Sequence, residues 1–462
     1  MKQMKYTMIV LFLLPAMIAK AQQRYELTVK DAVELAYKNV VELKNAQIDY
    51  QIQEAKNKEI LGSAYPQLSG NVSANHYLKL PAILFPDATS TAVYSILKEE
   101  GVSGTSGPIT KVPDPTLRQV SFQQPWNLQM GATLQQLLFQ PDVFVGLQAR
   151  QAALELSASA IDVVKEKVKD SAYKRYYAIL IAEKQLHFID ESMKRLQKLY
   201  VDDSIMFKNG FAERLDLDRV QVQINNLQST RNTVANAIDI SYAALKLTLG
   251  IPQQDIVVLK EDLTTAQVKD GLLDASFRYE DRALVRQLNN ARRLQELDVK
   301  RYRLGGLPTV AFGANYTINA QGQQFFTNSN TIWINSAYLG LNINVPIFDG
   351  FQRKYKMQQA QLNVQKTENN ITNVKQAIDF EQSITRSSLR NAIVDLDLQE
   401  RNMQLAEKVF NTTKLKFQEG LGSSFEVLTA DTEMQRAQAN YFNALYNAII
   451  ARISYQNSLG KL

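Results

Sequence analysis

The hydrophobic pattern of this chain changes period twice, in the same order each time. After Gly210, apolar residues recur at spacings of three and four, at Leu217, Val220, Ile224, Leu227, Val234 and Ile238, with Arg231 filling the one seam position that is not apolar. That spacing predicts a helix carrying a narrow coiled-coil seam. Ala235, Ala237, Ala243 and Ala244 add a second close-packing surface, as in a helix with neighbours on two sides. Between Gly146 and Gly210 there are 63 residues without Gly or Pro, and between Gly350 and Gly420 there are 69. Uninterrupted helices of that size are roughly 95 to 105 Å long, about three times the hydrocarbon thickness of a bilayer.

Ahead of each long helix the period drops to two. Asn127, Gln129, Gly131, Thr133 and Gln135 alternate with Trp126, Leu128, Met130, Ala132 and Leu134, while Leu339, Leu341, Ile343 and Val345 alternate with Gly340, Asn342 and Asn344. Upstream, Val310, Phe312, Ala314, Tyr316 and Ile318 alternate with Ala311, Gly313, Asn315 and Thr317, and Leu68, Val72 and Ala74 with Ser69, Asn71, Ser73 and Asn75. The pattern predicts four strands of about ten residues, each with one apolar face. Their polar faces hold Asn, Gln, Ser and Thr with almost no charge, which suits a water-lined interior; a soluble sandwich is the alternative. Four strands cannot close a barrel, so several chains would share one, and a conducting pore favours three chains over two. Helices are expected over 31–61 and 279–303, leading into strands after Pro66 and Pro308. Residues 80–122, with five prolines and three glycines, form a long loop between two strands.

The second half repeats the first. Phe207-Lys208-Asn209-Gly210 returns as Phe417-Gln418-Glu419-Gly420, and Leu249-Gly250 as Leu459-Gly460, each displaced by 210 residues. The domain plan is therefore a leader over 1–21, a first repeat over 22–250, a linker over 251–278 and a second repeat over 279–462. The leader shows Lys2 and Lys5, an apolar run over 8–18 and the cleavage pattern Ala19-Lys20-Ala21, which predicts export. Removing it lowers the formal charge from +6 to +3, so nothing electrostatic favours nucleic acid. The absence of cysteine and the presence of only two histidines, His76 and His187, leave a His- or Cys-based metal site little to work with, and Ser/Lys or carboxylate pairs are too common to count. No cofactor, metal or catalytic residue is expected.

Three stretches carry a family resemblance: the Leu-Pro passages at Pro66 and Pro308, Val345-Pro346-Ile347-Phe348-Asp349-Gly350 entering the long helix, and the run from Phe417 to Ala430 at the second tip. On these the chain resembles the TolC-like outer-membrane efflux and secretion channels over essentially its whole mature length. The resemblance implies a mixed α and β membrane protein: a homotrimer with a twelve-stranded barrel in outer-membrane lipid and a periplasmic tunnel of long antiparallel helices. It also implies the role of exit channel in a tripartite efflux or type I secretion system. The partners would be a periplasmic adaptor and an inner-membrane transporter of the RND, ABC or MFS type. In the family, acidic rings narrow the tunnel just after the second tip. The matching residues are Glu426 and Thr429, where some members have two Asp; the basic latch residue of those members matches Gly422. Asp216 lies opposite Glu426 at the 210-residue offset, with Asp218 nearby, so both hairpins can contribute to a constriction. Asn209, Gly210, Phe211, Gly420, Leu421 and Gly422 are the expected adaptor-contacting tips, and Asn127, Gln129, Asn342 and Asn344 the expected barrel lumen. Two plainer roles compete with these: the acids would favour helix N-termini, and the glycines would simply turn the chain. A trimeric outer-membrane anchor with a solid helical stalk is the alternative function.

Overall fold

The computed structural model describes residues 23–261, 276–324 and 330–462. The leader and residues 262–275 of the 251–278 linker lie outside the described residues. These described residues divide into two compact units, one drawn from 23–55, 150–261, 276–296 and 361–462, the other from 56–149, 297–324 and 330–360.

The smaller unit is built on a four-stranded antiparallel sheet of β2 (Gln67–His76), β7 (Trp126–Phe139), β9 (Thr309–Gly322) and β10 (Ile332–Asn344), ordered β10-β9-β7-β2. Three strands run to 13 or 14 residues rather than ten, because alternation continues past the apolar core of each strand. The register places Asn127 beside both Asn75 and Gln321, Gln129 beside Ser73 and Asn319, Asn342 beside Ala311, and Asn344 beside Thr309. Opposite residues share a face, so the polar sets of all four strands form one surface and Leu68, Leu128, Leu339 and Leu341 belong to the other. On the polar face Asn315 Nδ2 donates to Thr133 Oγ1 at 2.8 Å and Thr317 Oγ1 donates to Asn315 Oδ1 at 2.7 Å. Every strand end at Gln67, Phe139, Thr309 and Asn344 leads to a helix, whereas the opposite ends are joined by residues 77–125 and 323–331.

The 80–122 stretch is not a plain loop. It folds into an antiparallel pair, β3 (Ile83–Asp87) with β6 (Thr116–Val120), around a helix α3 (Thr89–Glu99) and a two-residue pair, β4 (Ser103–Gly104) with β5 (Gly107–Pro108). The prolines bound these elements rather than abolishing them. Asp87 Oδ1 accepts from Thr89 N at 3.1 Å, holding the entry to α3.

The larger unit is helical. The expected first helix is two, α1 (Val29–Asn39) and α2 (Val41–Gly62), broken at Val40, whose backbone is extended. The Thr28 hydroxyl caps α1 by accepting from Asp31 N at 3.3 Å, while Asp31 Oδ2 accepts from Thr28 N at 3.0 Å. Two long hairpins follow: α4 (Pro141–Lys208) with α5 (Arg214–Leu249), and α7 (Gln352–Gln418) with α8 (Ser424–Ser458). Before the second hairpin stands α6 (Ala283–Leu304), preceded by a short 3-10 turn. A parallel pair, β1 (Arg24–Leu27) with β8 (Ile256–Leu259), closes over a core of Leu27, Ala36, Tyr176, Ile179, Leu245 and Leu249. Tyr176 is fully buried, donates its hydroxyl to Leu27 O at 2.9 Å, and burial pushes its pKa up to about 12. Leu217, Val220, Leu227 and Ile238 of the predicted α5 seam are buried, and the odd member Arg231 bonds Asp190 of α4 through Nε at 2.6 Å. Of the second alanine surface, Ala237 and Ala243 stay exposed in the single chain. Among the described residues no helix is long and apolar enough to cross a membrane.

Candidate functional site

The two hairpin tips close in the same way. At the first, Gly210 N donates to Phe207 O at 3.0 Å and Phe211 N to Met206 O at 2.8 Å; at the second, Gly420 N donates to Phe417 O at 3.0 Å and Leu421 N to Lys416 O at 2.8 Å. Each is a Schellman closure, which needs one left-handed residue, and Gly210 and Gly420 supply φ of 80° and 75°. The residue after each glycine is then turned outward: Phe211 is 79% exposed and Leu421 80%. Asn209 Nδ2 donates back to Ile205 O at 2.9 Å, so its side chain finishes α4.

Beyond the turns the chemistry parts. At the first tip Asp216 Oδ2 accepts from Glu213 N at 3.3 Å, and Asp216 Oδ1 lies 3.6 Å from the Arg219 guanidinium. Asp218 pairs with Arg214 at 3.1 Å. At the second tip the cap is Ser423, whose Oγ accepts from Glu426 N at 3.2 Å. Glu426 is exposed and makes no ion pair among the described residues. A Cβ at Gly422 would stand 3.3 Å from Glu426 Oε2, so the carboxylate leans over the turn. Thr429 donates its hydroxyl to Phe425 O at 2.8 Å, on its own helix. Arg219 links the two tips, with its guanidinium 4.9 Å from the centre of the Phe425 ring.

Behind the tips, Leu199, Val220, Phe410, Val427, Ala430 and Met434 bring α4, α5, α7 and α8 into one core. Two acids that the sequence reading passed over sit in it. Asp203 is fully buried and accepts a short hydrogen bond from the Ser424 hydroxyl through Oδ2, while its Oδ1 has no partner. Burial pushes its pKa up, the nearby Asp216 and Asp202 charges adding to that and the Ser424 bond opposing it. Asp431 is also buried, with Arg195 Nε at 3.0 Å on Oδ1 and the Gln435 amide on Oδ2. Burial outweighs both partners and raises its pKa as well. The Arg195 guanidinium lies 5.4 Å from the Phe410 ring centre, beside a cavity of about 60 Å³ lined by Leu199, Phe417 and Val427. The available signal was positional: Ser424, Val427, Asp431 and Met434 follow each other at seam spacing, so an acid stood where an apolar residue was due.

The tip geometry contains no reacting constellation, and among the described residues no His, Asp or Glu cluster could hold a metal ion. What it presents is two turned ends, a linked charge layer and long helices joined to a sheet with one polar face. Residues 280–461 match the family described as outer membrane efflux protein. The chain is 19% identical over 344 residues to outer membrane protein TolC of Vibrio cholerae, covering 72% of this chain and 77% of that one. Over its second half the chain is similar to the TolC-like outer-membrane efflux proteins. The chain is also 22% identical over 346 residues to protein CyaE of Bordetella pertussis, covering 72% of each. Its fold matches a crystal structure of CusC with a TM-score of 0.72 at 16% identity, over 93% of this chain and 91% of that one. The family matched by residues 280–461 is one of outer-membrane proteins.

Proposed function

We propose that three copies of this chain close one twelve-stranded barrel continued by a helical tunnel, and that the assembly is the exit channel of a tripartite efflux or type I secretion system. The observation that carries this is the sheet itself. Its order leaves β10 and β2 as open edges, and in lipid each unpaired backbone group on an edge costs several kcal/mol. Pairing β2 of one copy with β10 of the next removes every edge, and twelve strands leave a lumen that eight would fill with side chains. The helices support the same ring. On α5, Leu215, Val222, Ile240 and Leu247 stay exposed; on α7, Ile384, Val394, Leu398, Leu405 and Val409 do. These are seam spacings without a partner in the chain, and α7 packed on a neighbour's α5 would continue the antiparallel alternation of the hairpins.

In this reading Asn127, Gln129, Asn342 and Asn344 line the lumen, and Glu426, Asp216, Asp218 and Thr429 ring the periplasmic constriction. Converging carboxylates raise the local cation concentration and oppose closure of the ring unless a cation sits between them. The tips at Asn209, Gly210, Phe211, Gly420, Leu421 and Gly422 meet a periplasmic adaptor, itself coupled to an inner-membrane transporter. Native mass measurement and single-channel recording of the purified protein in planar bilayers test the proposal. A threefold mass with ion conductance is expected, whereas a trimer that conducts nothing would favour the solid anchor.

A further inference from the structure

From the insertion between β2 and β7, we infer a surface for docking against the same insertion in a neighbouring copy, at the exterior mouth of the barrel. The inference rests on the shared-barrel reading above. Four observations carry it. The second hairpin of strands is joined by residues 323–331, while the first is joined by residues 77–125, which fold into β3, α3 and β6. None of residues 77–125 is buried, and both faces of the β3 and β6 pair carry exposed apolar groups. Leu84 and Leu117 belong to one face and Ile83 and Phe85 to the other. A two-stranded hairpin is marginal alone in water, and one apolar on both sides is incomplete without a cover.

The topology says where the cover comes from. The insertion leaves from β2, the edge strand, at the end of the sheet away from the helices, and Tyr77 N donates to Pro125 O at 2.7 Å to close its neck. An edge strand that pairs with the next copy sets its insertion at the boundary between copies. The charges agree: Lys79, Lys98, Lys111 and Arg118 balance Asp87, Glu99, Glu100 and Asp114, so identical insertions do not repel one another through net charge. Exposed Val93 and Ile96 on α3 add a further apolar strip, and Thr91 Oγ1 ties that helix to Pro113 O at 2.7 Å.

The chain has no cysteine, so single-cysteine variants report cleanly. Leu84→Cys and Ile96→Cys, in the full-length protein in outer-membrane vesicles, are treated with oxidant or a short bis-maleimide and run on a denaturing gel, with native mass measured on the same material. Covalent dimers from at least one position, with that thiol protected from a bulky maleimide, are expected. A native trimer in which neither position cross-links overturns the docking surface. If both thiols then label freely, the insertion is uncovered; if they are protected, its cover is lipid or another protein. Failure to find a trimer at all, in the unsubstituted protein, would instead overturn the assembly on which the inference rests.

Discussion

The first and second hairpin tips share a backbone and differ in charge. Gly210 and Gly420 close their helices with matching hydrogen bonds, yet the acids that follow are held differently: Asp216 and Asp218 each have an arginine, whereas Glu426 has none. A turn is specified by one residue that tolerates positive φ, so it survives almost any change around it. Charge placement depends on single side chains and drifts freely. The difference leaves the acids of the first tip engaged with arginines on their own helix and the Glu426 carboxylate exposed. It also makes Arg219 the joint between them, since it meets Asp216 on one hairpin and Phe425 on the other.

The largest expected effect lies behind the tips, where the comparison would break if the two hairpins were independent. Asp431→Ala leaves Arg195, only 26% exposed at its side chain, without its carboxylate and should cost about 3 kcal/mol, read by denaturant unfolding of the detergent-solubilised protein. An Arg195→Met, Asp431→Leu pair should recover most of that loss, because a matched apolar pair removes the buried charge together with its partner. Next come the turns. Gly210→Ala and Gly420→Ala each force a Cβ into the left-handed region and should cost about 1 to 2 kcal/mol apiece. Clearly unequal costs would show that the turns are not equivalent.

Conductance sharpens the charge difference. Glu426→Gln should reduce cation preference more than Asp218→Asn does, since Asp218 is already balanced by Arg214. Equal effects in reversal-potential measurements would remove the distinction between the tips. Acidity gives a subtler test. Asp203 and Asp431 have folded pKa values raised above the ordinary 3.8, so the folded protein holds more protons than the unfolded chain just above that pH. Their contribution to stability is therefore greatest at low pH and is lost as pH rises from about 3.8 through the raised values. Asp203→Asn should flatten that part of the stability profile. The smallest effect is expected from Arg219→Ala, which loses one exposed ion pair and one ring contact, about 0.5 to 1 kcal/mol in the same unfolding assay.

Much of this was legible before the fold was known. Period determined the elements: a 3.5-residue seam gave α5, and two-residue alternation gave β7 and β10, with the polar and apolar faces that the register then kept. The glycines at 210 and 420 marked both tips because a left-handed residue is a local demand. Three features were not legible. Val40 breaks a helix at a residue with no breaker chemistry, because α1 is fixed by its Thr28 cap and by the core around Leu27 and Tyr176. Residues 80–122 were hidden by their prolines, which restrict single dihedrals but permit strands and a helix between them. The surroundings of Asp203 and Asp431 were the third, since the sequence shows a charge but not what encloses it. By itself the sequence determined where the long helices and the four strands of the main sheet run and which face of each strand is apolar, since both depend on neighbours within a few residues. Only the tertiary structure decided that Arg195 reaches Asp431, that Ser424 reaches Asp203, and that the sheet ends in open edges. Those depend on residues distant in the chain meeting in space, where desolvation rather than sequence spacing sets the energy.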